Sequence, residues 1–274
     1  MKNKVSVMIS LYRNDDAHYY REAIQSIIDQ SYGIENINIY QVIDGSISEE
    51  LETVIEHFSS YFYKVIRLET NNGLANALNK LIQIMGDEEY IFRMDSDDIS
   101  KPDRFDNQIS FMERNKSIGI CGMAISEFYE DGSLILRSYP LKHDLLISNL
   151  SKASPFAHPT VCFRATALKL LGSYSTKYHL CEDIHMWFRA VILGVKFANL
   201  PDVGLDFRIQ RNFFKRRSLS KAWAEFKVYL FGGFRLFGYG FWILFPLLRL
   251  VSRLMPPFLI KYMYKYSLRT RFLN

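Results

Sequence analysis

Cysteine is scarce in this chain: Cys121, Cys162 and Cys181 are the only three in 274 residues. Their odd number and wide spacing show no disulfide framework. No CxxC pair or His/Cys cluster suggests a zinc site, so a reducing compartment is expected. A signal peptide is not expected. "MKNKVSVMIS" puts two lysines before a short apolar run, but no small-residue cleavage site follows, and Arg13, Asp15 and Asp16 come at once. Internal repeats and low-complexity linkers are absent. Acids are nearly absent from the last quarter. Residues 207–274 hold 14 Lys+Arg and one acid, Glu225, a balance of +13, whereas residues 1–206 hold 20 Lys+Arg and 28 Asp+Glu, a balance of −8. The net charge of +5 therefore hides an acidic body and a basic tail suited to an anionic partner.

Hydrophobic residues make up 49% of the chain, enough for a folded core. "VSVMISLY" (5–12), "NIYQVID" (38–44), "KVIRLE" (64–69) and "YIFRM" (90–94) read as strands. Between them, Tyr20, Ala23, Ile24, Ile27 and Ile28 recur at helical spacing, as do Leu74, Ala77, Leu78, Leu81, Ile82 and Met85, and residues 48–60 look helical. Alternation of this kind predicts an α/β fold: a mainly parallel central sheet with helices on both faces. Right-handed crossovers bring the carboxyl ends of such strands to one edge, where ligands bind. "SLYRND", "IDGS" and "MDSDD" all fall there. Beyond residue 116 the alternation is less regular. Strands are expected at 118–128 and 134–138, with "PFAHPTVCFR" (155–164) a loop entering another. A helix opens at Glu182-Asp183 with Ile184, Trp187, Phe188, Val191 and Ile192 as its buried stripe, and Gly194 ends it.

"YIFRMDSDDIS" (90–100) sets Asp95, Asp97 and Asp98 at the end of a strand. One or another acid is explained by a turn or by capping the helix that Lys101-Pro102 begins. Three together on the binding edge call for a cation. Mn²⁺ or Mg²⁺ prefers such oxygen donors and itself binds a diphosphate.

Several stretches occur in the order found in family 2 glycosyltransferases: "VSVMISLYRND", "VIDGS", "NNGLANALNKLI", "FRMDSDDISKPDRFDNQISFME", "HPTVCFR" and "CEDIHMWFRA". Residues 3–210 thus resemble the bacterial branch that builds capsule, exopolysaccharide and O-antigen. The resemblance implies the GT-A nucleotide-diphospho-sugar transferase fold and inverting transfer of a hexosyl or N-acetylhexosaminyl group. The expected donor is a UDP-sugar, and the expected acceptor a saccharide on a polyprenyl diphosphate. It points to a catalytic domain at 1–210 (nucleotide half 1–116, acceptor half 117–210); the charge and apolar pattern beyond it point to a helical membrane-associating tail at 211–274.

Residue by residue, the resemblance implies that Ser10, Tyr12 and Asn14 form the first nucleotide loop and that Asp44 meets the base. Asn72, Gly73 and Asn76 border the nucleotide. Asp95, with Ser96 beside it, faces the ribose or the metal, and Asp97 ligates the metal. Asp183 is the catalytic base, with Glu182 adjacent. A helix N-terminus favours the ionised carboxylate, so Asp183 is expected to be ready to take a proton but only weakly basic. His158 either lines the acceptor pocket or orients its loop. Where many relatives carry a Tyr-Arg-x-His pattern, this chain has "FRIQRN". Gln210 stands in the histidine's place, and Arg208 and Arg211 are left to neutralise a departing diphosphate.

In the tail, "FGYGFWILFPLL" (237–248) is about half the roughly 20 residues a bilayer span needs. Arg249 and Arg253 are four apart, as are Lys261, Lys265 and Arg269. The pattern fits an interfacial or re-entrant segment over 235–271 on an anionic membrane, apolar on one side and cationic on the other. A lid packed on the core is the alternative; a nucleic-acid groove would waste the apolar stretches, so no nucleic acid is expected. Nucleotide sugars are cytosolic, which puts the enzyme on the cytoplasmic face of the inner membrane. Two other functional readings remain: a phosphatase of the haloacid dehalogenase type, whose DxD lies on the first strand, and a membrane-bound scaffold with a dead transferase fold.

Overall fold

A computed structural model describes residues 3–129, 131–178, 180–209 and 219–254. Its first half is the expected alternation: β1 (Val5–Leu11), α1 (Ala17–Ile28), β2 (Ile37–Asp44), α2 (Glu49–His57), β3 (Phe62–Leu68), α3 (Leu74–Ile84) and β4 (Tyr90–Met94). These four strands are parallel in the order β3-β2-β1-β4, with Leu11 opposite Ile43 and Ile9 opposite Met94. The register brings the polar segments after β1, β2 and β4 to one edge. Period-two alternation sends Val5, Val7, Ile9 and Leu11 to one hydrophobic cluster and Met8 to the other, so the sheet is buried on both faces.

The second half adds β5 (Ile99–Ser100), α4 (Arg104–Arg114), β6 (Ile118–Tyr129), β7 (Leu134–Arg137), α5 (His143–Asn149), β8 (Cys162–Arg164), α6 (Ala165–Leu171), α7 (Glu182–Ile192) and β9 (Lys196–Ile209). The sheet continues β4-β8-β6-β9-β5, with β7 also on β6. Its short central strand β8 is antiparallel to both β4 and β6, so the sheet is mixed beyond β4. Long β9 returns beside β6 and pairs antiparallel with β5, which follows the acids. All three cysteines are buried and unpaired as thiols.

One face of α7 departs from its expected stripe. Met186 and Ala190 are buried with Ile184, Trp187 and Phe188, while Ile192 is exposed. The chain then turns through Gly194, whose φ is +78°. The tail is a helical hairpin, α8 (Leu219–Phe237) and α9 (Leu244–Leu254). It docks on α7 through Tyr229, edge-on to Phe188 at 5.8 Å. Arg249 and Arg253 overturn one expectation: they do not form an outward cationic face. Both grip Glu225, with Arg249 Nη1 and Arg253 Nε each 3.0 Å from its oxygens, and Arg249 also stacks on Tyr229. Among the described residues no helix is long and apolar enough to cross a membrane. The cations at Lys261, Lys265 and Arg269 lie outside the described residues.

Candidate active site

The β2 end is held by its own acid. Asp44 is 3% exposed, and its two carboxylate oxygens accept the backbone N–H groups of Asn72 and Gly73, each at 2.8 Å. Such charge-assisted bonds are the stronger kind. Asp44 thus fixes the turn into α3, and Asn76 closes it by donating Nδ2 to the Asn72 carbonyl at 2.7 Å. Gly45 makes this approach possible: its φ is +86°, and a Cβ there would lie 2.8 Å from the Asn71 nitrogen. After β1, Tyr12 N donates to Asp15 at 2.9 Å, shaping the loop that carries exposed Asn14; Ser10 lies half-buried at the strand end.

Asp95, Asp97 and Asp98 offer oxygens that all lie within 4.8 Å of one another. Among the described residues no other group of three or more His, Cys, Asp or Glu side chains is placed to share a cation. Ser96 is buried between them. Asp98 Oδ1 accepts the Arg208 backbone N–H at 2.9 Å, whereas Oδ2 is buried without a hydrogen-bond partner. Burial, then the charge of Asp97, pushes the Asp98 carboxyl well above the usual range. Crowded hard oxygens and an orphaned buried acceptor fit a small divalent cation.

The chain also supplies positive charge of its own, one part of it at a residue that the sequence reading missed. Arg93, next to last in β4, is 2% exposed and in ion contact with Asp95. An arginine in a strand reads as a solvent-facing residue; the groups that bear on this one, Tyr174 and Glu182 among them, come from far along the chain. Arg208 is the second cation. It was expected to neutralise a diphosphate, but its guanidinium is already engaged: Nε donates to the Asp97 carbonyl at 2.8 Å and Nη2 to Glu22 at 2.6 Å. It is also stacked against Tyr19 and Phe128. Arg208 therefore ties β9 and α1 to the acid loop. Gln210 and Arg211 lie outside the described residues.

Asp183 begins α7 beside buried Glu182. Its carboxyl is pushed up to about 6 by burial and next by the charge of Glu182, against the lowering effect of backbone N–H groups. Desolvation outweighs the helix terminus, which corrects the expectation of a weak base. Half-buried His158 shares a 2.9 Å hydrogen bond with the Tyr174 hydroxyl and stands edge-on to Trp187. Burial, then the Arg93 charge, drives its pKa well below the usual value, so the ring is neutral. Burial pushes the Cys181 thiol up to about 12, so it is a packing group rather than a nucleophile.

The family model described as Glycosyl transferase family 2 matches residues 6–171. The chain belongs to glycosyltransferase family 2. It is 33% identical to the amylovoran biosynthesis glycosyltransferase AmsE of Erwinia amylovora, over 95% of this chain and 97% of that one. It is 32% identical to an Escherichia coli UDP-Gal:alpha-D-GlcNAc-diphosphoundecaprenol beta-1,3-galactosyltransferase, over 98% of each. The Pyrobaculum calidifontis mannosyltransferase PcManGT, solved with GDP-Man and Mn²⁺, superimposes with a TM-score of 0.64 at 14% identity, over 98% of this chain and 81% of that one. Against the longer Staphylococcus aureus TarS the TM-score is 0.63 at 17% identity, and this glycosyltransferase spans 43% of that chain. The fold is GT-A. The family and the place of the acids on β4 displace the phosphatase reading.

Proposed function

We propose that this glycosyltransferase moves a sugar, with inversion, from a UDP-sugar to a saccharide carried on a polyprenyl diphosphate, in the synthesis of a bacterial surface polysaccharide. One observation carries the reading: the chain holds a crowded acid triad beside the nucleotide edge and a separate carboxylate, Asp183, raised to about 6. At neutral pH that carboxylate is ionised, yet more basic than an ordinary aspartate. Asp183 takes the proton of the acceptor hydroxyl as its oxygen bonds to the anomeric carbon. The bond to the donor diphosphate breaks with its electrons, and the nucleoside diphosphate leaves.

Asp97 and Asp95 are the residues that would hold Mn²⁺ or Mg²⁺, which supplies positive charge to the leaving diphosphate. The Asp44-held turn at Asn72, Gly73 and Asn76 borders the nucleotide, and Tyr12 and Asn14 cover its other side. His158, neutral and fixed by Tyr174, orients the acceptor loop. The name of the Escherichia coli relative, with its UDP-linked donor and diphosphoundecaprenol acceptor, supports both substrate classes.

The hairpin serves a cytoplasmic membrane surface. Tyr239 is 93% and Phe241 98% exposed at its tip, and Leu244, Leu248 and Val251 of α9 are also exposed. Apolar groups displayed in this way suit headgroup depth rather than water.

The test is a panel of nucleotide sugars with Mn²⁺, Mg²⁺ or chelator, read by nucleoside diphosphate release. Metal-dependent release from a UDP-sugar is expected; no turnover with any donor would leave the dead-scaffold reading standing.

A further inference from the structure

Asn79 follows Asn76 by three residues in α3, so the two are neighbours on the helix surface. Asn76 closes the nucleotide-bordering turn; the side-chain amide of Asn79 reaches instead to one residue far along the chain. Its Nδ2 donates to the Tyr174 carbonyl at 2.9 Å, and its Oδ1 accepts the Tyr174 N–H at 2.7 Å. An amide that satisfies both backbone groups of one residue fixes where that residue sits and how it is turned. Tyr174 is 1% exposed, lies between α6 and α7, and holds the His158 ring through its hydroxyl at 2.9 Å. On its own side this loop is already anchored to α7. Arg189 Nη2 donates to the Ser173 carbonyl, and Tyr178 stacks on His185 at 4.8 Å. Asn79 adds a tie to the other half of the molecule. Hydrogen bonds therefore lead from Asp44 to Asn72 and Asn76, and one helical step further from Asn79 to Tyr174 and His158.

We infer that Asn79 is a positioning residue that passes the placement of the nucleotide-bordering helix to Tyr174, and through Tyr174 to His158 on the acceptor side. The inference rests on the transferase reading above. It adds that a nucleotide seated at the Asn72–Gly73 turn also steadies the acceptor side, by way of one asparagine. The physical reason is the stiffness of the link. A helix carries Asn76 and Asn79 at a fixed spacing, and two hydrogen bonds to one residue leave Tyr174 little freedom to shift without α3.

The experiment uses the full chain, with Asn79→Ala, Tyr174→Phe and the double variant. Hydrogen exchange resolved to single amides is compared with and without UDP and Mn²⁺. With UDP at ten times its Kd, openings that disrupt its site are suppressed about tenfold. In the wild type that slowing is expected at Asn72, Gly73 and Tyr174 alike. In Asn79→Ala it should persist at Asn72 and Gly73 and vanish at Tyr174. A purely structural clamp would raise both rates at Tyr174 and leave their ratio unchanged. Tyr174→Phe keeps the backbone clamp, so the ratio at residue 174 should stay at about ten. For hydrolysis of the donor found active in the panel, each single variant is expected to lower kcat about tenfold, with donor KM within about twofold. The double variant should lose less than the product of the two, because both act on His158 by one route. Equal slowing at Tyr174 in Asn79→Ala, no slowing there in the wild type, or a multiplicative double variant would overturn the inference. Should Asn79→Ala not fold, Asn79→Asp replaces it. Asn79→Asp keeps an acceptor for the Tyr174 N–H but loses the donor to its carbonyl, and its ratio at Tyr174 should fall below half the wild-type value; an unchanged ratio would refute the role. UDP with Mn²⁺ that slows no amide of the wild type refutes the donor reading and this inference with it, whereas slowing confined to Asn72 and Gly73 refutes only this inference.

Discussion

Asp183→Asn should remove activity and make the protein more stable. The carboxyl sits at about 6 in the fold against 3.8 for a free aspartate, so the folded chain holds this proton more tightly than the unfolded one. Two units and a little more correspond to about 3 kcal/mol. The sign follows from linkage: an acid with a raised folded pKa burdens the fold in its ionised form. The burden is complete above pH 6 and fades as the pH falls to about 4. Asparagine is neutral and of similar shape, but accepts the Ile184 N–H less strongly, so a net gain of about 1–3 kcal/mol is expected at pH 7.5. For a chain of this size that is about 2 °C or more in Tm for each kcal/mol. Urea titrations at pH 4, 5, 6 and 7.5 would show the wild-type and variant curves converging at the acid end. Metal-dependent nucleotide binding should survive while transfer is lost. An Asp183→Asn variant that is no more stable at pH 7.5, or a gain that does not shrink with acid, would refute the reasoning.

Asp97→Ala should weaken UDP affinity in the presence of Mn²⁺ and leave the metal-free affinity nearly unchanged; equal affinities with and without the ion would remove Asp97 from the metal site. Asp44→Ala strips the acceptors from two part-buried backbone N–H groups and should cost about 1–3 kcal/mol. Faster hydrogen exchange at Asn72 and Gly73 is the specific readout, and protection equal to wild type would contradict it. Glu225→Gln leaves Arg249 and Arg253 without their shared counter-charge, a loss of about 3–5 kcal/mol if the pair stays buried. Limited proteolysis should then cut between α8 and α9 before the body of the chain. Tyr239→Ser with Phe241→Ser should reduce sedimentation with anionic vesicles without changing donor hydrolysis; unchanged sedimentation would count against the hairpin as the membrane contact.

The parallel half and its acids were legible because each rests on local chemistry. An apolar run of strand length ending in "MDSDD" needs no distant partner to be recognised, and β4 spans Tyr90–Met94 as the pattern predicts. Helical spacing likewise identified Tyr20, Ala23, Ile24 and Ile27 as buried. What escaped depends on partners far along the chain. Arg93 is 2% exposed, and the charges that bear on it include Tyr174 and Glu182, some 80 to 90 residues along the chain. Arg208 is committed to Asp97 and Glu22 through β9, which no periodicity ties to the acid loop. The basic tail misled in a similar way: a count of Arg249 and Arg253 cannot reveal that both converge on Glu225. The raised pKa of Asp183 is a burial effect, invisible to an argument from the helix terminus alone.

The contact between Tyr229 and Phe188 makes the hairpin a ruler. Eight residues of helix separate Tyr229 from Phe237 at the end of α8, about 12 Å along the axis. Phe188 lies in the same helix that Glu182 and Asp183 begin, so the proposed base keeps a constant offset from the aromatic tip. With that tip seated at a bilayer, the height of Asp183 above the lipid is set by the protein. Acceptor saccharides would then be sorted by reach as well as by contact: a hydroxyl one sugar nearer to the lipid, or one sugar farther from it, would miss the carboxylate.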